Sequence, residues 1–131
     1  MSGQFVARCD SDRNLIQYTL DGFFGPDDLG TIQAERRAAH DQLHCGPNQH
    51  VTLCDVRGCK IQSQAVLAMF RTIVGEESGR ARRLAFVTGE SLARTQVRRI
   101  RDADPQRIGV FETSELAERW LLAEPDVPLA A

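Results

Sequence analysis

The sequence predicts a single α/β domain: a mixed, mostly parallel sheet of about five strands flanked by about four helices, in the order ββαβαβαβα. Three observations carry that prediction. A chain of 131 residues, 42% hydrophobic and 26% charged, has room for one core and not for two. The spacing of its apolar residues switches repeatedly between a period of two and one near 3.6, the signatures of strand and helix. After an opening hairpin these two patterns alternate, and successive parallel strands joined by helical crossovers are the arrangement that satisfies such an alternation. A domain of this size buries roughly two thirds of the surface its unfolded chain exposes, so it needs no disulfide or metal staple, and its apolar fraction excludes disorder.

Each element has its own local reason. Phe5, Ala7 and Cys9 alternate with polar neighbours, Asp10–Asn14 reads as a turn, and Ile16, Tyr18 and Leu20 resume the alternation, which makes a hairpin. Asp21-Gly22 and Gly25-Pro26 break the second strand. Pro26 with Asp27 and Asp28 then opens a helix expected to run to about Leu43, burying Leu29, Ile32, Ala39 and Leu43, before Gly46-Pro47. Val51–Val56 is a β-branched apolar run suited to a strand covered on both faces. Ser63 can cap the next helix, whose stripe is Val66, Phe70 and Ile73 and whose expected end is Gly75. Leu84–Val87 is a further buried strand. Ser91 can open a helix with Ala93, Val97 and Ile100 inward, stopped by Asp104-Pro105. Ile108–Phe111 is the last strand, and a helix over about Ser114–Leu122 turns Leu116, Ala117, Trp120 and Leu121 inward. Glu115 and Arg119 are spaced for an exposed pair on that helix. The domain is expected to span residues 1–124, with 125–131 a frayed tail.

Composition narrows the function classes. Sixteen basic against eighteen acidic residues leave a net charge of −2, which does not call for nucleic acid as a partner. The longest apolar run, Ala65–Phe70, is far below the roughly 18 residues of a membrane span. The N-terminal residues carry no export pattern, so the expected location is the cytoplasm, with Cys9, Cys45, Cys54 and Cys59 as reduced thiols. The charge is unevenly spread. Between Arg80 and Arg107 eight arginines face three acids, a local balance of +5 against −7 elsewhere, and Arg94, Arg98 and Arg101 share one helix face as a candidate anion-binding surface beside the plainer reading of a solvated face.

In their order and spacing, four stretches together resemble the STAS-like family, that of anti-anti-sigma factors (SpoIIAA-like) and of domains in sulfate transporters. They are Leu20-Asp-Gly-Phe-Phe-Gly-Pro-Asp-Asp28, Leu53-Cys-Asp-Val-Arg-Gly58, Arg83-Leu-Ala-Phe-Val87 and Arg107–Leu121. The resemblance covers nearly the whole chain and is closest to the single-domain bacterial branch. It implies a non-enzymatic regulatory or binding module that docks a protein partner, with a homodimer as an alternative assembly. In regulated members a serine at the start of the second helix is phosphorylated, and Ser63 stands at that place, where free N–H groups and the helix dipole favour a phosphate. Those members have Asp before the serine and Ser-Gly after it. This chain has Gln62 before and Gln64-Ala65 after, so a simple helix cap is the stronger reading of Ser63.

Other constellations remain open. Phe23, Phe24, Asp55, Arg57, Ile61 and Gly89 fall near the carboxyl ends of strands, where open α/β sheets bind ligands, so they form a candidate surface for a partner or for a small apolar or anionic ligand such as a lipid or nucleotide. Consecutive Phe23 and Phe24 cannot both face the core. His40 and His44 at four-residue spacing, with Cys45 and His50 after them, are a weak metal-ligand set, and no resident cofactor is expected. No nucleophile elbow, phosphate loop or zinc-protease motif frames a catalytic group, so no enzyme is expected.

Overall fold

The computed structural model describes residues 3–123, and the expected tail over 125–131 lies outside the described residues. It contains β1 (Gln4–Asp10), β2 (Leu15–Gly22), α1 (Leu29–His40), β3 (Val51–Cys59), α2 (Gln64–Arg80), β4 (Arg83–Val87), α3 (Arg94–Arg101), β5 (Ile108–Phe111) and α4 (Ser114–Leu121). The five strands lie side by side in chain order. β1 pairs antiparallel with β2, from Gln4 opposite Asp21 to Asp10 opposite Leu15, and every later pairing is parallel. Because each crossover steps one strand in the same direction, right-handed connections place α1, α2 and α3 on one face of the sheet and leave the other to α4.

The packing follows from strand alternation. Ile16, Tyr18 and Leu20 of β2, Cys54 and Val56 of β3, and Leu84 and Phe86 of β4 point toward Ile32 of α1, Val66 and Ile73 of α2 and Val97 and Ile100 of α3. Their neighbours Leu15, Val51, Leu53, Ala85 and Val87 form a smaller core on the opposite face under Ala117 and Leu121 of α4. The central strands therefore read as continuous apolar runs.

The differences from the sequence pattern have local causes. The first helix begins with a 3-10 turn over Pro26–Asp28 and closes at His40, not Leu43, and Leu29 is exposed while Arg36 occupies the buried stripe between Ile32 and Ala39. β3 runs past Val56 to Cys59 because its register against β2 shifts between Thr19 and Asp21, and a side chain on Gly58 would collide with Asp21 at that irregularity. α2 passes through Gly75 to Arg80, where buried Glu77 continues the stripe of Val66, Phe70 and Ile73. α3 starts at Arg94, because Ser91 holds the preceding turn: its Oγ accepts from Ala93 N and donates to the Cys59 carbonyl. Thr113 caps α4; Leu116 faces solvent there, and Glu115 and Arg119 form no ion pair among the described residues.

Candidate functional site

At the carboxyl ends of the strands, the side chain of Gln62 ties its own loop, between β3 and α2, to the loop that follows β2. Gln62 Oε1 accepts from Phe24 N at 2.9 Å, and its Nε2 donates to the carbonyls of Gly22 (2.9 Å) and Lys60 (2.6 Å). Gln96 on α3 closes the set: its Oε1 accepts from Gln62 N, and its Nε2 donates to the Gln62 carbonyl. Phe24 turns into the core and meets Phe70 edge-on at 5.3 Å, whereas Phe23 is 58% exposed. Ile61 beside Gln62 and Leu92 beside Ser91 are 53% and 76% exposed. Ser63 begins α2 at this end, exposed, with its Oγ accepting from Val66 N at 3.2 Å, which is N-cap geometry. Asp55 binds Arg57 bidentately, at 2.7 Å and 3.0 Å, and that guanidinium holds the Asp55 carboxyl below its ordinary range. Gly89 has φ +54°, and Arg57 lies against it.

At the amino ends the central feature is a buried carboxylate. Glu77, 1% exposed, accepts on Oε1 from Tyr18 Oη (2.9 Å) and Arg36 Nη2 (2.9 Å), with His40 Nε2 at 3.0 Å. On Oε2 it accepts from Thr52 Oγ1 (2.6 Å), with His50 Nε2 at 3.0 Å. Burial by itself would raise the Glu77 pKa, but the bonds from His40, His50 and Thr52 overcome it and hold the carboxyl well below the ordinary carboxylate range. Arg36 stays charged in spite of its burial because the same carboxylate faces it, and Nη1 reaches Gln33 at 2.6 Å and half-exposed Glu76 at 3.1 Å. Beside this cluster an open groove runs between α1 and α2, lined by Gln33, Arg36, Arg37, His40, Glu76 and Arg80.

Between the two ends, under α2 and α3, lies a cavity of about 70 Å³. Its walls are almost wholly apolar, including Phe5, Leu67, Phe70, Ile73, Phe86 and Val97; Gln62 and Gln96 border it on one side and Tyr18 and Glu77 on another. Phe23, Phe24, Arg57, Ile61 and Gly89 do not line it, and the space lies between the sheet and the helices that cover it, not in a cleft outside the strand ends. Cys54 and Cys59 do line it, and burial pushes the Cys59 thiol up to about 12, which makes it an inert apolar group.

The structure brings together only part of what the residues suggested. His40 and His50 converge on Glu77, while His44 is exposed, with its backbone N–H on Asn14, and neither His44 nor Cys45 joins them. On α3, Arg101 pairs with Asp102, and Arg94 and Arg98 make no ion pair among the described residues. Glu77 and Arg36 were missed, although the signal was present: each continues the apolar stripe of its helix with a charge, and the two charges are opposite.

Among the described residues no helix is long and apolar enough to cross a membrane. No family model matches the chain, and no curated protein matches it. Its architecture does match a solved structure: an uncharacterised protein of the DUF3478 family with a SpoIIAA-like fold, from Shewanella loihica PV-4. The two share 15% sequence identity and superpose with a TM-score of 0.69 over 92% of this chain and 94% of that one. The antiparallel-then-parallel sheet with its flanking helices is thus a SpoIIAA-like fold.

Proposed function

We propose that the chain is a non-enzymatic binding module of the STAS-like type that docks a protein partner through the loops at the carboxyl ends of its strands. The observation that supports this most is the exposure of three large apolar side chains, Phe23, Ile61 and Leu92, on three loops that Gln62, Gln96 and Ser91 hold in place. Apolar groups on a braced surface are pre-organised for a partner, because little loop entropy is lost on docking. Ser63 stands within the same surface as its helix cap, and Asp55 with Arg57 supplies a polar rim nearby. A photo-crosslinking residue at Phe23 or Leu92 in native-host cells should yield a discrete adduct that Ile61→Ser abolishes. An adduct-free protein, or one equally crosslinked from exposed Leu122, would refute the assignment.

The cavity favours a second reading, a small apolar ligand held under α2. A water needs about 10–15 Å³ of such space and several polar partners, so an apolar space of about 70 Å³ is better suited to a hydrocarbon group than to water. Xenon under pressure should raise the melting temperature of the wild type and not that of Leu67→Trp, which fills the space. Equal shifts in both would remove this reading.

A further inference from the structure

Two imidazole nitrogens and a carboxylate meet at the amino-end cluster from three separate elements: the last turn of α1, the entry to β3 and the last turns of α2. Their ligand atoms lie within 4.8 Å of one another, and each Nε2 is 3.0 Å from a different oxygen of Glu77. Ligand atoms held about 2.1 Å from a tetrahedral zinc ion are about 3.4 Å apart. The two nitrogen–oxygen separations fall within about half an ångström of that spacing, so a small opening of the cluster would admit an ion.

We propose that His40, His50 and Glu77 form a binding site for a divalent transition-metal ion of the zinc type. Two neutral imidazoles and one carboxylate select zinc, cobalt, nickel or ferrous iron over the oxygen-seeking calcium and magnesium. The surrounding bonds are those that a ligating carboxylate needs for orientation: Thr52 holds one oxygen, and Tyr18 and Arg36 hold the other. Arg36 is also held through Nη1 by Gln33 and Glu76, so it can stay bonded to one Glu77 oxygen while the carboxylate offers a remaining lone pair to the ion. The groove beside His40 gives the ion an approach and leaves room for a water as an additional ligand. Binding uses the lone pair of each Nε2, so the Nε2 proton that each ring shares with Glu77 in the empty site is displaced and the bound neutral ring carries its proton on Nδ1. His44 and Cys45, near in sequence, stand outside the set.

The test uses the full chain, freed of metal with a chelator and titrated with cobalt(II), then zinc(II). One cobalt per chain is expected, with visible d–d absorption that zinc abolishes. His40→Ala, at the partly exposed edge of the cluster, should weaken cobalt binding at least about tenfold while keeping the wild-type circular dichroism. His44→Ala should bind like the wild type. Zinc should raise the melting temperature of the wild type and not that of His40→Ala. Absence of stoichiometric cobalt and zinc, or binding that His40→Ala leaves unchanged, overturns the site.

Discussion

Replacing Glu77 by Gln keeps the shape of the side chain and removes its charge, which isolates the electrostatic role of the buried cluster. In the wild type two oxygens face five donor groups, one of them the guanidinium of Arg36, itself buried. The carboxamide offers a single acceptor, and its NH2 group confronts two of the former donors. Arg36 keeps only Gln33 and the half-exposed Glu76. Removing one partner of a buried ion pair costs about 3–5 kcal/mol, a large share of the 5–15 kcal/mol that holds a typical domain. For a chain of this length that is a fall in melting temperature of about 10–20 °C. The assay is urea and thermal unfolding with chelator present, so that no bound ion contributes. Glu76→Gln, half-exposed in the wild type, is the matched control and should cost under about 1 kcal/mol. The pH dependence follows from the sign of the shift. The folded pKa of Glu77 is depressed, so its contribution is fully present above the unfolded value of about 4.3 and is lost as pH falls below it. Below the unfolded value the gap between wild type and Glu77→Gln should narrow by up to about 1.4 kcal/mol per pH unit. A gap under 1 kcal/mol at pH 7, or one that does not narrow in acid, would refute the reasoning.

Three further outcomes are expected. Gln62→Ala removes three side-chain hydrogen bonds to backbone groups, two of them to the loop after β2 and one within its own loop, and should cost about 2–3 kcal/mol, with hydrogen exchange quickening at Phe24 N; unchanged exchange would contradict the bracing role. Ser63→Ala should cost about 1 kcal/mol in urea unfolding through loss of the cap while crosslinking from Leu92 persists, and a loss of crosslinking without a loss of stability would instead make Ser63 a contact or a switch. Asp55→Asn breaks a pair whose arginine is half-exposed and should cost under about 1 kcal/mol by thermal unfolding, so a larger loss would mean that the pair does more than rim the surface.

The fold was legible because the core is built from period alone. Leu53, Cys54, Leu84 and Phe86 are apolar on both strand faces, which announces a sheet covered on both sides, and the helices between them follow. Boundaries were less legible where a side chain overrides local propensity. Gly75 signals a helix end, but Glu77 two residues later is anchored by groups from β2, α1 and β3, contacts that no local window contains. The same holds for the candidate sites. His40 and His50 were visible as residue types, yet their common partner is distant in sequence, and chain proximity favoured His44 and Cys45 instead. At the carboxyl end, the phenylalanine pair announced that one ring would be exposed, but no periodic pattern singled out Leu92.

The two candidate surfaces share α2. Its first turn carries Ser63 and adjoins Gln62, the brace of the carboxyl-end loops; its last turns carry Glu77, the hub of the amino-end cluster. Beneath its middle, Leu67, Phe70, Ile73 and Val74 border the cavity, so part of the dispersion contact that a filled core would supply there is missing. The helix is thus fastened by directional polar bonds near both ends and packed less completely between them. Polar bonds of this kind depend on charge as well as geometry, so the position of α2 should respond to the state of either end more than that of α4, whose Ala117 and Leu121 pack on the apolar side chains of Leu53, Ala85 and Val87. Under the docking function proposed above, α2 is the element through which a contact at one end could be felt at the other.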